Sequence, residues 1–296
     1  TEELDGAVVT SSFPYFEFQN DIHPKYLLFI ATNPIFYKKI EDMVSGATGR
    51  RSVETDDFLQ IEIPIPSLDE QAEIVSKIEK QKAIIEGIEL IEKNFDFDFE
   101  NKYHWKKESL SDCCNELIIG NTPTGKIQSE GDVVYLKVNN LSFDLSLDFT
   151  NEYFIDKNVQ DNDLKNSRCY PGDVLMNIVG PPLGKVAIVP DSIKECNINQ
   201  AIICFRPKQY LDNRYLAYYL LKKSTVNRFV ELIRRSTGQW NLTKTICSSF
   251  EIDIPEPDEQ YRIVTELNEK SNTLTGLRKM KSEAKHNIDQ LLADVW

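Results

Sequence analysis

The sequence predicts an α+β protein built from two mainly β domains, the first of them incomplete, and two long helices that pair as an antiparallel coiled coil. Three observations lead to this fold. Part of the chain repeats itself, two segments carry apolar residues at heptad spacing, and the region between them holds short β-branched and aromatic runs. With 296 residues, 41% of them apolar, the chain can form more than one buried core.

An internal repeat links the beginning of the chain to its last third at an offset of about 190 residues. A single period of this length indicates two copies of a domain. Residues 1–66 match only the region from about Glu195 on, so we expect that the first copy lacks its beginning. The matched segments are EIPIPSLDEQAEIV (62–75) with EIDIPEPDEQYRIV (251–264), Tyr26-Leu27 with Tyr215-Leu216, and Thr48-Gly49 with Thr237-Gly238.

A first long helix is predicted within residues 67–102. Ser67 and Glu70 form a capping-box pattern, in which each side chain bonds the other residue's backbone amide. The run Phe95–Phe99, which alternates with aspartate, is expected to dock the end of this helix onto the second domain. The apolar stripe of the helix consists of Ile74, Ile78, Ile85 and Ile88, widened by Ile84, Ile91 and Phe95.

Residues 103–257 are predicted to form a mainly β domain with one helical insertion. Strand-like runs occupy 133–138, 173–179 and 185–189, each bounded by Gly, Pro, Asn or Asp. Leu211 to Arg235 has helical spacing instead. The architecture of this domain is therefore β-rich, with a helical segment near its end.

A second long helix is predicted for residues 258–296, starting at Asp258 after Pro257. Its heptad pattern favours pairing with the first helix within one chain. Two independent amphipathic helices, each packed on its own domain, are the alternative. The seam consists of Ile263, Leu267, Leu274, Leu277, Ala284, Ile288, Leu291 and Val295, with breaks at Lys270 and Lys281.

Composition and cysteine spacing argue against a membrane or metal protein. No run approaches the roughly 20 apolar residues that span a bilayer, and the N-terminus lacks a secretion signal, so we expect a cytoplasmic protein. The six cysteines form no C-x-x-C pair, and the three histidines are scattered. We therefore expect reduced, buried thiols and no metal site.

The formal net charge of −13 argues at first against nucleic-acid binding, because phosphate contacts need basic side chains. The charge is segregated, however. Residues 67–102 carry ten acidic and five basic residues, which suits a solvated helix or a protein partner. Residues 206–244 contain nine basic residues against two acidic ones, and this stretch could bind a phosphate backbone.

A set of motifs in fixed order resembles the target-recognition domains of type I restriction-modification specificity subunits. The second copy contains YPGDVL (170–175), GPPLGKVAIV (180–189), NINQA (197–201), STGQ (236–239) and IPEPDEQ (254–260). The first copy adds LDGAVVTSSFP (4–14), TGRR (48–51) and IPIPSLDEQ (63–71). The resemblance covers essentially the whole chain, and the ordered set is specific although each motif alone is weak.

The resemblance implies a recognition protein rather than an enzyme. Residues 1–66 would be the C-terminal part of target-recognition domain 1, and residues 103–257 would be target-recognition domain 2. The helices 67–102 and 258–296 would form a coiled-coil spacer, so that each domain reads one half of a bipartite site in double-stranded DNA.

The resemblance also implies partners that carry out the chemistry. Methylation of adenine would be performed by methyltransferase subunits, which bind S-adenosylmethionine, and cleavage by restriction subunits. The chain itself would hold no cofactor or metal, and its sequence offers no catalytic constellation. Exposed heptads could also let the helices associate between two copies.

Base reading needs side chains with paired donors and acceptors, and phosphate binding needs Lys or Arg; both requirements predict the DNA-binding residues. For Asn139 and Asn140 a turn capped by their side chains is an equal alternative, Lys185 is equally consistent with a solvated lysine, and Trp240 is more often a core aromatic. The candidates are Lys137, Asn139, Asn140, Lys185, Arg234, Arg235, Gln239, Trp240, Asn241, Arg50 and Arg51.

The sequence is also consistent with two other functions. The chain could be the C-terminal recognition part of a fused methyltransferase or endonuclease, because it begins within a domain. It could also be a coiled-coil adaptor with no nucleic-acid role, although the basic surplus in residues 206–244 counts against this.

Overall fold

The computed structural model describes residues 21–43, 53, 55–100, 105–235 and 241–296, which form two compact units. Unit 1 comprises Thr1–Lys93 and Gly276–Trp296, and unit 2 comprises Asn94–Thr275. No described helix is both long enough and apolar enough to cross a membrane. The predicted mixture of helix and sheet is confirmed.

The described part of unit 1 is helical. It contains α1 (Pro24–Ala31), α2 (Pro34–Met43), α3 (Thr55–Phe58), α4 (Leu68–Asn94, whose last residue falls in unit 2) and the C-terminal part of α10 (Pro257–Ala293). The predicted capping box starts α4, since the Ser67 amide donates to Glu70 Oε2 over 2.9 Å and the Glu70 amide faces Ser67 Oγ at 3.4 Å. The first long helix is therefore confirmed.

The core of unit 1 lies where α1 meets α4 and the C-terminal end of the chain. Tyr26, Phe29 and Ile30 of α1 pack with Val75 and Ile78 of α4. Near the C-terminus, Leu292 is buried in the same cluster, with Ile288, Leu291, Val295 and Trp296 packed around it. Burying these large apolar side chains is the main stabilising contribution in this unit.

Within unit 1, α4 and the C-terminal part of α10 run in opposite directions. Glu92, near the end of α4, accepts hydrogen bonds from Arg278 Nε at 3.0 Å and Lys281 Nζ at 2.8 Å, whereas Gln81 faces Asn287 further on. The heptad break at Lys281 thus has a physical reason, because this lysine pairs with Glu92.

Only part of the apolar stripe of α4 is buried. Ile78 and Ile88 are buried, but Ile84 and Ile91 are close to half exposed. These two residues, which widen the predicted apolar stripe, are therefore not buried within this chain.

The described residues of unit 2 form two four-stranded sheets and one two-stranded ribbon. The sheets have the orders β2-β9-β6-β7 and β4-β3-β8-β5, and the ribbon pairs β1 with β10. The strands are β1 (Lys106–Ser109), β2 (Cys114–Ile119), β3 (Val133–Leu136), β4 (Phe154–Ile155), β5 (Arg168–Cys169), β6 (Val174–Asn177), β7 (Val186–Ile188), β8 (Cys196–Ile198), β9 (Ile202–Pro207) and β10 (Glu251–Ile254).

The sheet containing β6 is covered on both faces. Leu175 packs into the cluster that also contains Leu136 and Ile198 of the other sheet. Its neighbours Val174 and Met176 face the cluster that contains Tyr218 and the other helical residues. This alternation follows from the two-residue period of a strand. It explains why the strands read as continuous apolar runs in the sequence.

Unit 2 contains more helix than the predicted single insertion. The predicted helical region forms two helices that meet at Lys222, and Asp212 caps the first by accepting from the Arg214 and Tyr215 amides. The remaining helices are short and lie in loops that carried no helical periodicity. The helices before α10 are α5 (Leu110–Cys113), α6 (Lys157–Asn162), α7 (Asn213–Leu221), α8 (Lys223–Arg235) and α9 (Lys244–Ser249).

The helix α10 begins one residue earlier than predicted. The position equivalent to Ser67 is Glu256, whose carbonyl oxygen accepts from the Glu259 and Gln260 amides, so that Pro257 is the first helical residue. Proline is well suited to this position because the first helical amide has no partner within the helix.

The internal repeat is confirmed by a hydrogen-bond pattern that occurs in both units. In unit 1 the buried side chain of Gln71 accepts from the His23 amide at 2.7 Å, and its Nε2 donates to Asp21 O and Pro66 O at 2.9 and 2.8 Å. The fixed amide joins the start of α1 to the start of α4.

The same three bonds are made in unit 2 by Gln260. It accepts from the Asp212 amide at 2.8 Å and donates to Tyr210 O and Pro255 O at 3.0 and 2.9 Å. Each of these residues lies 189 positions after its counterpart, as in the step from 71 to 260. The two copies therefore share side-chain geometry as well as sequence.

The two copies of the repeat differ in the burial of equivalent apolar residues, which are covered in unit 2 and exposed in unit 1. Ile254 of β10 is 8% exposed and Ala217 of α7 is 0% exposed, whereas their counterparts Ile65 and Leu28 are 49% and 57% exposed. Residues 62–65, the counterparts of β10, are not in a strand, and no described strand of unit 1 lies beside them to pair with their backbone.

The predicted docking of Phe95–Phe99 onto the second domain is confirmed within unit 2. Phe97 is buried, with its ring centroid 5.3 Å from that of Tyr218. Phe99 lies 5.7 Å from Tyr215, and its carbonyl oxygen accepts from Lys222 Nζ at 2.8 Å.

Candidate nucleic-acid interface

The turn that follows β3 is built around the side chain of Asn140. Its Oδ1 accepts from the Lys137 amide at 2.9 Å, and its Nδ2 donates to Asp148 O and Asn151 O at 2.8 and 2.9 Å. Asn140 is only 2% exposed. Its assignment as a DNA contact is therefore corrected: the amide shapes the turn and has no group directed to solvent.

Lys137 and Asn139 lie on the surface of the same turn. Lys137 Nζ is 3.4 Å from the centroid of the Tyr153 ring, a cation–π contact. Asn139 is exposed, and its Nδ2 is 3.5 Å from the Tyr153 hydroxyl. Tyr153 thus holds both residues in place, and sequence reasoning missed it because it follows in a loop without periodicity.

The hairpin between β6 and β7 brings Lys185 to this turn. The Asn177 side chain accepts from the Lys185 amide at 2.9 Å and donates to Val179 O and Pro182 O, which fixes the hairpin. Lys185 Nζ then donates to Val138 O at 3.3 Å. Residues 137–140 and 185 are therefore neighbours, although about 50 positions separate them in the sequence.

The same hairpin requires glycine at position 184. Gly184 has a φ of +96°, and an added Cβ would lie 2.8 Å from Val226 Cγ2. Both the backbone conformation and the close approach of α8 exclude a larger side chain. This explains the second glycine of the GPPLG motif, Gly184.

Asn241 lies beside the hairpin as well. It forms an antiparallel bridge with Val179, and the Leu242 amide donates to Ile178 O at 2.8 Å. Arg234 is exposed at the C-terminal end of α8, near Asn241 in the chain. The structure thus gathers Lys137, Asn139, Lys185 and Asn241 around one turn and one hairpin of unit 2.

Several candidates cannot be placed. Arg50, Arg51, Gln239 and Trp240 lie outside the described residues, as does the side chain of Arg235. Their assignment as DNA contacts stays a prediction.

The basic surplus in residues 206–244 overstated the charge available to DNA. Arg206 binds Asp173 through Nε and Nη2 at 2.9 and 2.8 Å and also pairs with Glu116, and these carboxylates raise the pKa of the guanidinium. Lys222 is directed to Phe99, and its burial lowers the pKa of the ammonium. Arg228 donates to Glu251 O at 2.9 Å. These three residues hold the domain together.

One buried group of potential metal ligands is present among the described residues. Cys169, Asp173 and Cys204 offer atoms within 4.8 Å of one another. Both oxygens of Asp173, however, accept from the guanidinium of Arg206. The carboxylate is thus better explained as one half of a bidentate ion pair than as a cation ligand. All six cysteines are unpaired and buried, as predicted.

Comparison with known proteins identifies the family. A family described as the type I restriction modification DNA specificity domain matches residues 5–93 and 103–285. A curated relative, the type I restriction enzyme MjaIX specificity subunit of Methanocaldococcus jannaschii, is 26% identical over 172 residues. That match covers 55% of this chain and 37% of the relative, so the chain matches well under half of that protein.

Solved structures show the same fold. One such structure comes from a study of complex assembly and conformational transition of the type I restriction-modification system. Its TM-score is 0.59 at 20% identity, and the match covers 92% of this chain and 70% of the solved chain. The type I restriction-modification S subunit from M. genitalium has a TM-score of 0.54 at 15% identity, over 93% and 73%. Since the family match covers most of the sequence, the chain belongs to the family of type I restriction-modification DNA specificity subunits.

Proposed function

We propose that this chain is the subunit that reads a bipartite site in double-stranded DNA and positions methyltransferase and restriction subunits on it. The observation that carries the proposal is the surface of Lys137, Asn139, Lys185 and Asn241, to which three separate chain segments contribute. This surface lies on a chain that belongs to the type I restriction modification DNA specificity family. Gathering such residues from distant segments is typical of a binding surface.

The chemistry of this surface suits DNA. An asparagine amide presents one donor and one acceptor, which match N7 and N6 of adenine in the major groove. Lys137 and Lys185 carry the positive charges that phosphates require, and their side chains are held by an aromatic ring and a carbonyl oxygen. In our proposal Asn139 and Asn241 read bases, and the two lysines bind the backbone.

The repeat supports a division into two recognition domains. Residues 1–66 are assigned to the C-terminal part of domain 1 and residues 103–257 to domain 2. The shared glutamine pattern of Gln71 and Gln260 supports this pairing. The helices 67–102 and 258–296 are assigned to a coiled-coil spacer, which the opposite directions of α4 and the end of α10 in unit 1 support.

The exposed apolar residues of unit 1 supply a surface for the methyltransferase. Ile84, Leu90 and Ile91 of α4 and Met280 of α10 are all substantially exposed. We assign them to the docking of methyltransferase subunits, which bind S-adenosylmethionine and transfer the methyl group to adenine. The chain itself is non-catalytic in this proposal and holds no cofactor or metal.

DNA selection from a random duplex pool tests the proposal, followed by affinity measurements on single-base variants of the selected site. We expect Asn139→Ala to lower affinity by about 1 to 3 kcal/mol and to relax discrimination at one base pair. Lys106→Ala, an exposed lysine of the ribbon, is the control and should change neither.

Two results would argue against the proposal. A uniform loss for Asn139→Ala across all base variants would remove its base-reading role. Absence of any DNA binding at low salt by the chain in complex with its methyltransferase would instead favour a coiled-coil adaptor.

A further inference from the structure

An exposed aromatic side chain of unit 2 lies beside Lys185, outside the residues assigned to DNA binding above. The loop 141–147 follows the Asn140 turn and presents Phe143, whose side chain is 47% exposed. Lys185 Nζ is 5.8 Å from the centroid of this ring. The ring is therefore an apolar group on the surface assigned to DNA.

The loop that carries Phe143 is rigidly held. Ser142 Oγ and Ser146 Oγ both donate to Asp144 Oδ1 at 2.6 Å, so the carboxylate bonds to the hydroxyl groups of its own loop. Ser142 and Leu145 form bridges with Val186 and Ala187 of β7. Phe143 thus sits at a tip fixed on both sides.

Leu145 adds evidence that this shape is held in place by its surroundings. Its φ is +69°, a conformation that costs free energy for any residue other than glycine. Leu145 is also partly buried against the main core cluster. Strained backbone of this kind persists only where the surrounding structure enforces it, and it is concentrated at functional sites.

We propose that Phe143 is an apolar wedge that inserts between two adjacent base pairs of the bound duplex. This inference rests on the proposed function and deepens it. Lys185, beside the ring, binds the phosphate next to the opened step. In proteins that bind the minor groove, Phe, Leu and similar side chains unstack base steps in this way and kink the duplex, which then wraps more protein surface.

Phe149 provides the matched control. It is also an exposed phenylalanine of unit 2, at 37%, but it lines an apolar recess of about 240 Å³ together with Tyr153, Phe154 and Ile193. Its ring is thus one wall of a recess, whereas Phe143 stands at a loop tip. The two residues can be exchanged for alanine with the same change of volume.

The test uses the chain in complex with its methyltransferase and duplexes that carry the selected site, each with 2-aminopurine at one position. The adenines that the methyltransferase modifies are left out, because the enzyme itself extrudes those bases. 2-Aminopurine fluoresces more strongly when it is unstacked. We expect binding to raise the fluorescence several-fold at one or two adjacent positions. Phe143→Ala should abolish this rise and weaken affinity on the order of tenfold, since lost stacking with a base costs this much.

Phe143→Leu and Phe149→Ala complete the design. The leucine variant keeps an apolar wedge and should retain part of the fluorescence rise, and Phe149→Ala should retain all of it. A bound wild-type complex without any fluorescence rise, or a Phe143→Ala complex with an unchanged rise, would overturn the wedge while leaving DNA reading intact. A wild-type complex that binds no duplex would overturn both.

Discussion

Replacing Gln260 by alanine should destabilise unit 2 far more than an average surface substitution. The side chain is 2% exposed and makes three hydrogen bonds to backbone groups, at 2.8, 3.0 and 2.9 Å. Alanine would leave the Asp212 amide and the Tyr210 and Pro255 carbonyl oxygens without these partners. Each lost bond to a buried group costs about 1 kcal/mol or more, so we expect a loss of about 3 kcal/mol in the free energy of unfolding.

Calorimetry and urea unfolding measure this loss. For a unit of this size about 1 kcal/mol corresponds to a shift of about 2 to 4 °C, so the Tm of unit 2 should fall by about 6 to 12 °C. Gln260→Glu should be equally damaging at neutral pH, because a carboxylate would then face two carbonyl oxygens.

Gln209→Ala, which removes an exposed glutamine of the same unit, serves as the control and should shift Tm by less than about 2 °C. Gln71→Ala should reproduce the large loss in unit 1. If Gln260→Ala were to cost less than about 1 kcal/mol, or no more than Gln209→Ala, the shared glutamine would not be the structural link between the two helix starts that we infer.

The remaining predictions concern charge. Lys185→Ala should weaken DNA binding on all sequences alike and reduce the slope of log affinity against log salt by about 0.9, whereas Lys106→Ala should leave the slope unchanged. Hydrogen bonds from Lys281 and then Arg278 hold the pKa of Glu92 below its usual value of 4.5. Because the folded-state pKa is lowered, this stabilisation is present above about pH 4.5 and is lost as the pH falls through the folded-state pKa. Glu92→Gln should therefore be less stable at pH 7, and its unfolding midpoint should depend less on pH below 4.5. If the two proteins lost stability in parallel on acidification, the ion pair would contribute nothing.

The repeat and the long helices were predictable because their signals are local. Ser67 and Glu70 are three residues apart, and the heptad residues follow one helical period, so both patterns can be seen without knowing the fold. The glutamine pattern was not predictable in this way. Gln260 bonds to Tyr210 and Asp212, about 50 residues earlier, and only folding brings them together.

The candidate site was predicted only in part for the same reason. Lys137, Asn139 and Lys185 do lie together, but Asn140 faces inward because its partners Asp148 and Asn151 are supplied by the next loop. The sequence pattern of an asparagine pair cannot distinguish the exposed member from the buried one. Counting charges likewise missed that Arg206, Lys222 and Arg228 are bound within the domain, because their partners lie elsewhere in the chain.

Methylation mapping tests the central claim most directly. The chain is produced with its cognate methyltransferase in cells that lack other adenine methylation, and modified adenines are mapped across the genome. We predict a gapped, two-part motif. One part of this motif should become less specific in the Asn139→Ala variant, and both parts should stay unchanged in the Lys106→Ala variant. A motif identical in all three proteins, or no methylation by an intact complex, would contradict the claim that this surface of unit 2 reads DNA.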